Sequence, residues 1–316
     1  MSSSIYENCT EVTSSCPVSG TIYGYYPSLG GNGFFLAVFI VAFMIQIPLA
    51  FIYHLWGYSF ALGAGTFMEI IGYVGRIQMH SNPWKDSAFT MQVTCLILAP
   101  SFIAASIYLT FKHLIIAFGP EHSRLKPRLY TWIFIGCDIC SILLQAGGGG
   151  MASSGGPSQA KTGNNIMIGG IAFQVVTMAM CGILAGDFAI KYHKSKTTTG
   201  SKWVWNPRQM SRPVIFCATA AFAYTVVLIR CIYRIPEMAG GWGGELMRHE
   251  GEFLALDGLM VALGVTILTL SFPGYMFPGM MSTDKAKNLP NILHRHGHKS
   301  GNAGSAELHL MDTRGI

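Results

Sequence analysis

Long apolar runs separated by short polar breaks make up most of this chain. The stretch from Gly33 to Gly75 carries only His54 and Glu69 as charge-bearing side chains. At about 1.5 Å per residue it is roughly twice as long as one bilayer crossing. It therefore divides, with a turn near His54 to Gly57, into predicted helices over 33–53 and 57–78. Further runs predict helices over 88–111, 130–150, 166–190, 213–234 and 252–272, seven in all. The breaks have local causes: Ser81-Asn82-Pro83 is a turn cluster, Gly119-Pro120 and Lys126-Pro127 stop helices, and Gly147 to Gly156 has too many glycines to be expected inside one. The segment from Lys191 to Arg212 is basic and polar, and Gly240 to Gly244 is a turn around Trp242. Beyond Pro278 the composition turns to Lys, His, Asn, Gly and Ser, which suits a disordered tail.

Composition identifies the solvent. Charged residues make up 11% of the 316 residues and apolar residues 51%, with a mean hydropathy of +0.40. That is less than half the charge expected of a soluble domain, so a soluble enzyme is excluded and lipid is the medium. The formal charge of +6 is too small to suggest nucleic acid as a partner; membrane lipids are the expected one.

The placement of Lys and Arg predicts orientation. With the N-terminus outside, the cytosolic side receives Lys112, Arg124, Lys126 and Arg128, then Lys191, Lys194, Lys196, Lys202, Arg208 and Arg212, then Lys285, Lys287, Arg295, Lys299 and Arg314. The outside receives only Arg76, Lys85, Lys161, Arg230, Arg234 and Arg248. The positive-inside rule favours this arrangement. The expectation is an all-α polytopic membrane protein with seven transmembrane helices, its N-terminus outside and its C-terminus cytosolic. Residues 1–32 form an extracellular tail, 33–272 the membrane domain and 273–316 a cytosolic tail.

The first 32 residues contain no Lys or Arg and no short apolar core followed by a cleavage site, so the first helix is expected to serve as an uncleaved signal. Asn8-Cys9-Thr10 fits the N-glycosylation pattern. Cys9 and Cys16 share the oxidising side, where a disulfide can form. Cys95, Cys137, Cys140, Cys181, Cys217 and Cys231 fall in helices and read as small apolar packing residues.

Ionisable groups inside a bilayer cost several kcal/mol unless paired or wetted, so each needs a reason. Helix two carries Glu69, Tyr73 and Arg76; helix four carries Asp138, Ser141 and Gln145; helix five carries Gln174. Helix six carries Arg230, Tyr233 and Arg234, and helix seven carries Asp257 with His249, Glu250 and Glu252 at its mouth. Residues three, four or seven apart share a helix face. Glu69 to Arg76, Asp138 to Gln145 and Glu250 to Asp257 are each seven apart, and Arg230 to Arg234 is four, so each helix has one polar stripe that must face the bundle interior. Depth along the helices predicts a polar cavity open to the outside and narrowing towards Asp138. Glu69, Asp138, Asp257 and Glu250 stand against Arg76, Arg230 and Arg234. Buried pairs of this kind can serve only to fix helix register. They can equally line a substrate path, the arginines suiting an anionic or zwitterionic head group and the acids an amine or a proton.

Other features carry less. Pro48 and Pro100 lie within helices and are accommodated there or kink them. Gly147-Gly148-Gly149-Gly150 lacks the Lys-Ser/Thr of a phosphate loop and reads as a helix end permitting close backbone approach. His294, His296 and His298 lack Cys or acidic companions for a metal, and Trp203 and Trp205 suit interfacial anchors.

On these residues the chain resembles the fungal RTA-like family (resistance to aminocholesterol), described as lipid-translocating exporters. The resemblance spans about Tyr26 to Pro273. It rests on Tyr26-Pro27-Ser28 with Asn32, on Glu69-x-x-Gly72-Tyr73-x-x-Arg76, and on Ala99-Pro100-x-Phe102 with Tyr108. It continues in Asp138-x-x-Ser141-x-x-x-Gln145, in Arg230-x-x-Tyr233-Arg234-x-x-Glu237, and in His249-Glu250 with Asp257. Two positions depart from the family pattern: Leu254 stands where an aromatic is expected, and Phe272-Pro273 where His-Pro often ends the last helix. The resemblance implies a seven-helix protein of the plasma membrane or an endomembrane, tied to lipid movement or to resistance against toxic amphiphiles.

Three function classes follow. The first is a transporter or facilitator of amphipathic lipids such as sphingoid long-chain bases or phospholipids, with head groups held by Glu69, Tyr73, Arg76, Asp138, Gln145, Gln174, Arg230, Tyr233, Arg234, Glu250 and Asp257. No nucleotide-binding motif is present and no cofactor is expected, so uphill movement would draw on a proton gradient through Glu69 or Asp138. The second is a seven-helix receptor or a regulator of lipid asymmetry. Against a receptor, the third helix ends Tyr108-Leu109-Thr110-Phe111-Lys112-His113, without an acid-Arg-Tyr motif. The third is a zinc-dependent intramembrane hydrolase, for which His54, His113 and His193 sit on one side and His249 on the other; a three-histidine site cannot be gathered across a bilayer. No enzyme is expected.

Overall fold

The computed structural model describes residues 9–118, 123–124, 127–154, 156–198, 212–241 and 243–276. The glycosylation motif at Asn8, the histidines of the tail, Trp203 and Trp205 lie outside the described residues. Among the described residues the fold is helical without strands. Its long helices are α1 (Leu29–Tyr53), α2 (Trp56–Ser81), α3 (Asp86–Phe118), α4 (Pro127–Ser154), α5 (Pro157–Thr198) and α6 (Arg212–Ala239), followed by α7 (Glu250–Leu270). A short turn of helix, α8 (Pro273–Met276), ends the described chain.

Six of these, all but α2, are long and apolar enough to cross a membrane. The protein is therefore an integral membrane protein. α2 is 26 residues long, but glycines and the Glu69 to Arg76 stripe dilute its apolar character. Its buried face carries Thr66, Glu69, Tyr73 and Arg76, packed mainly against α3 and α1.

The burial pattern inverts that of a soluble protein. Phe34, Met44 and Phe51 on α1, Phe60 on α2, Trp132 and Leu143 on α4, and Ile183 on α5 are exposed, while Gln46, Glu69, Arg76, Asp138, Gln145, Gln174, Arg230, Arg234 and Asp257 are buried. Apolar side chains can face lipid at no cost, whereas polar ones must find each other inside. Gln46 of α1 does so by donating to Thr66 of α2 at 3.1 Å and Thr269 of α7 at 2.9 Å.

The turn expected near His54 is present: His54 adopts a left-handed conformation with φ of 53° and caps α1, its N–H donating to the Ala50 carbonyl. At the other end Ser28 is the N-cap, accepting from the Gly31 N–H at 3.3 Å. α1 thus starts four residues ahead of Gly33, because the cap and not the first charge-free residue decides where a helix begins.

The largest correction concerns Gly147 to Gly156. Instead of ending α4 near 150 and opening a loop to 166, the chain stays helical through Gly147-Gly148-Gly149-Gly150 to Ser154 and resumes at Pro157. The expected close backbone approach is there, but between two helices. A Cβ on Gly148 would meet the Gly163 carbonyl at 2.6 Å, and one on Gly163 would meet the Ala152 nitrogen at 2.5 Å. The glycines let α4 and α5 touch through their backbones, and the resulting contact offsets their poor helix propensity.

Candidate substrate site within the helix bundle

At the end of the bundle that holds the N-terminus, three arginines meet three carboxylates. Arg76 of α2 donates from Nε to Asn32 Oδ1 at 2.8 Å and from Nη2 to the Tyr25 hydroxyl at 3.2 Å, with Glu250 Oε1 at 3.5 Å. Its guanidinium also lies over the rings of Phe253 at 3.9 Å and Tyr23 at 5.1 Å, an arrangement that suits a planar cation better than an ammonium. Arg230 of α6 faces Asp257 Oδ1 from Nη2 at 2.9 Å and donates to the Leu96 carbonyl of α3. Arg234, one turn further along, pairs from Nη1 with Glu237 Oε2 at 2.7 Å and reaches Asp257 Oδ1 from Nε at 3.5 Å.

Helix seven explains how two acids serve three arginines on two other helices. Residues Phe253–Leu259 form a π-helical segment. In a regular α-helix Glu250 and Asp257 would lie on one stripe, as their seven-residue spacing led us to expect. The wider turns between them re-aim Asp257, so Glu250 answers Arg76 while Asp257 answers Arg230 and Arg234. Such bulges are common at functional sites. Gly258 makes room here: a Cβ on it would meet the Tyr73 hydroxyl at 2.6 Å and the Phe35 ring at 2.8 Å. Tyr73 itself stacks on Phe39 at 5.5 Å between centroids.

Glu69 stands apart from these pairs. It is 0% exposed, and neither carboxyl oxygen has a hydrogen-bond partner. Arg230, Arg234 and Asp257 lie within its electrostatic reach, but the two arginines are already engaged by Asp257 and Glu237. Tyr73 and Tyr233 are also buried with unpartnered hydroxyls.

The outward-open cavity expected from helix depth is closed in this structure. Arg76, Arg230, Arg234 and Asp257 are all buried to within 2% exposure, and the N-terminal segment lies over the Arg76 and Glu250 part of the cluster. The Tyr23 hydroxyl accepts from Gln92 Nε2 at 2.7 Å, Pro27 offers its carbonyl to His80 Nδ1 at 2.8 Å, and the Ser28 N–H donates to Glu250 Oε1 at 2.6 Å. Burial pushes the Tyr23 phenol up to about 12 against the lowering effect of Arg76, so it stays a neutral hydroxyl. The strap is pinned further out by Trp84 Nε1 donating to the Cys16 carbonyl and Asn82 Nδ2 to the Thr10 carbonyl, and Cys9 is disulfide-bonded to Cys16. A stripe on a helix wheel says which face looks inward, but it cannot say that a preceding segment folds back over it.

Gln145 and Gln174 lie elsewhere, on the seam between α4 and α5. Gln145 Nε2 donates to Ser141 Oγ at 2.6 Å and to Gln174 Oε1 at 2.9 Å, and Ser141 Oγ donates to the Gly170 carbonyl at 2.9 Å. Gln145 Oε1 and Gln174 Nε2 are buried without a hydrogen-bond partner. Asp138, one turn before Ser141, is buried with both oxygens unpartnered. The eleven residues therefore divide: Tyr73, Arg76, Arg230, Tyr233, Arg234, Glu250, Asp257 and Glu69 belong to the cluster at the N-terminal end of the bundle, and Asp138, Gln145 and Gln174 to the α4 side.

Helix patterning did not single out Glu237, Asn32, Tyr23, Tyr25 or Phe253 as contributors. Glu237 had a legible signal, lying three residues after Arg234 on the same face. The aromatic contacts had none, because they come from the strap and from a π-helical turn.

Comparison with known proteins accords with this arrangement. A family model described as RTA1 like protein matches residues 62–280. The chain belongs to the RTA1-like family. The match takes in Glu69, Tyr73 and Arg76 of α2 and all of α6 and α7, while Asn32 and the strap lie before it. Among relatives, the sphingoid long-chain base transporter RSB1 of Saccharomyces cerevisiae is 30% identical over 296 residues, covering 83% of this chain and 76% of that protein. Protoporphyrin uptake protein 1 of Saccharomyces cerevisiae is 31% identical over 216 residues, 67% of this chain and 68% of its own. Protein RTA1 of the same yeast is 27% identical over 277 residues, 80% and 84%. Two of these names describe transport or uptake and none describes catalysis. No solved structure matches this RTA1-like chain. Among its described residues no cluster of three or more His, Cys, Asp or Glu side chains is placed to hold a metal.

Proposed function

We propose that this protein is a seven-span transporter or facilitator of amphipathic lipids, that sphingoid long-chain bases are its substrate class, and that it confers resistance to such lipids or to toxic amphiphiles. α2 is the seventh span, crossing the membrane inside a sheath of more apolar helices. The N-terminus is outside, the C-terminus is cytosolic, and the plasma membrane is the site of action. The protein is not an enzyme.

The observation that carries this reading is the Glu69 carboxyl, fully buried and unpartnered, with Arg230 and Arg234 within its electrostatic reach and each already paired with an acid. An added cation suits such a site better than an added anion, because each arginine already faces a carboxylate while Glu69 has no partner. A sphingoid base brings an ammonium that Glu69 can accept and hydroxyls that Tyr73 and Tyr233 can meet. Its alkyl chain can lie against the apolar outer faces of the helices. Entry requires the strap to lift, which costs the contacts of Tyr23, Tyr25 and Ser28. The name of one yeast relative, the sphingoid long-chain base transporter RSB1, supports the same substrate class.

A reconstituted assay tests the activity. Liposomes containing the purified protein are expected to move labelled sphingoid base faster than protein-free liposomes, ahead of phospholipids and of sterol amines. Equal rates in both would overturn direct transport and leave a regulatory role. Topology has its own test: a C-terminal epitope tag should stay hidden from antibody in intact cells and become accessible on permeabilisation. Staining of intact cells would reverse the orientation.

A further inference from the structure

In the cluster at the N-terminal end of the bundle three arginines face Glu250, Asp257 and Glu237, with Glu69 as a fourth acid. Asp138 lies outside that cluster on α4. It is 2% exposed and neither of its oxygens has a hydrogen-bond partner. The titratable groups within its electrostatic reach are Tyr108 of α3, Cys181 of α5, and Tyr224 and Cys231 of α6. None of them is cationic. Tyr224 spends its hydroxyl proton on the Met178 carbonyl of α5, while the Tyr108 hydroxyl, 1% exposed, has no partner. On α4 itself, Ser141 is committed to Gly170 and Gln145 to Gln174.

A carboxylate in this position would be an unpaired charge in a closed helix bundle, which costs many kcal/mol, whereas a neutral carboxylic acid costs only the loss of its hydrogen bonds to water. Among the described residues no guanidinium or ammonium pairs with it. Cys231 adjoins Arg230 in sequence and lies within reach of both Asp138 and the Arg230, Arg234 and Asp257 group.

We infer that Asp138 is a proton-carrying site: it holds a proton in the closed state seen here and releases it only when α4 separates from α3, α5 and α6 and water enters. In that step the carboxyl O–H bond breaks, the proton passes to water, and a carboxylate remains that must be reprotonated before the bundle can close. Closure thus consumes a proton, and opening on the opposite side returns it. This deepens the transport reading: loaded and empty bundles alike close over a protonated Asp138, so the proton gates the movement of base held at Glu69 and is not exchanged for it. The proton site itself does not depend on the substrate being a sphingoid base.

Two measurements separate the parts. Infrared difference spectroscopy of the protein in lipid nanodiscs, between acid and alkaline buffer, reports protonated carboxyls directly. The wild type should show a carboxylic-acid carbonyl band persisting at neutral pH that disappears in Asp138→Asn and moves in Asp138→Glu. A band unchanged in Asp138→Asn overturns the proposal whether or not transport occurs. In liposomes, raising the pH on both sides should slow the movement of labelled base by the wild type, because fewer open bundles are reprotonated, and Asp138→Asn should lose that slowing. If Asp138→Asn is slowed to the same extent as the wild type, Asp138 is not the gate. If Asp138→Asn does not fold, Asp138→Glu carries the test, with the band shifted and the pH response retained. Loss of the response in Asp138→Glu while its band persists would reject the gating. A protein that shows the infrared band but moves no base would sink the transport reading while leaving the proton site standing.

Discussion

Replacing Asp257 by Asn is expected to destabilise this protein by about 3–5 kcal/mol, the usual result of removing one partner from a buried ion pair. Asp257 is 0% exposed and faces Arg230 at 2.9 Å and Arg234 at 3.5 Å. Without its charge Arg230 keeps only the Leu96 carbonyl as a contact, and a guanidinium inside the bundle loses its ion pair. Arg234 suffers less because it retains Glu237 at 2.7 Å. The ordering is part of the expectation: Glu237→Gln should cost less than Asp257→Asn, since Arg234 would still have Asp257. A double variant, Arg230→Met with Asp257→Asn, should recover much of the loss, because both charges then leave together. Unfolding in mild detergent, followed by heat or denaturant, measures all three. An Asp257→Asn protein as stable as the wild type would mean that Asp257 does not compensate Arg230.

The second large effect is expected at Glu69, and it falls on function instead of stability. Glu69→Gln removes a carboxyl that accepts no hydrogen bond and has no ion-pair partner in contact. The amide has almost the same shape, so stability should change little, by about 1 kcal/mol or less for a swap that leaves packing intact. If Glu69 receives the ammonium of a sphingoid base, Gln offers a dipole in place of a charge. Removing one partner of a buried charge-assisted contact costs about 2–5 kcal/mol, hence at least tenfold in affinity. Transport of labelled base in liposomes should fall accordingly while the melting temperature holds. Asp257→Asn would lose transport and stability together. Full transport activity in Glu69→Gln would remove Glu69 from the substrate path and leave its burial to be explained by packing alone.

Much of the architecture could be read along the chain. Residues without charge over 20 or more positions have few alternatives to a membrane helix, so the seven helical regions and the turn at His54 were visible before any coordinates. Helix ends were not, because they depend on caps and packing: Ser28 starts α1 and glycine contacts carry α4 through 147–150. The polar residues that had to face inward could also be named, since an ionisable side chain among apolar neighbours marks itself. Which of them meet was less legible. Arg76, Arg230, Arg234, Glu250 and Asp257 come together, whereas Gln145 and Gln174 turn towards each other on the α4 to α5 seam. Periodicity assumes a uniform helix, and the π segment at Phe253–Leu259 violates that assumption at the residues where partner choice is made.

By itself, the sequence determined the medium, the helical class and the short inventory of costly side chains, because transfer of charge into lipid is penalised wherever it occurs. Tertiary structure decided the pairing of that inventory. Ion pairs depend on distances of a few Å between helices far apart in the chain, and those distances come from a π-helical turn, from glycine-mediated contacts and from a strap at the N-terminus. The same packing decided which acids go without a partner. Glu69 and Asp138 look like Asp257 and Glu250 in the sequence, and only the positions of the three arginines set them apart.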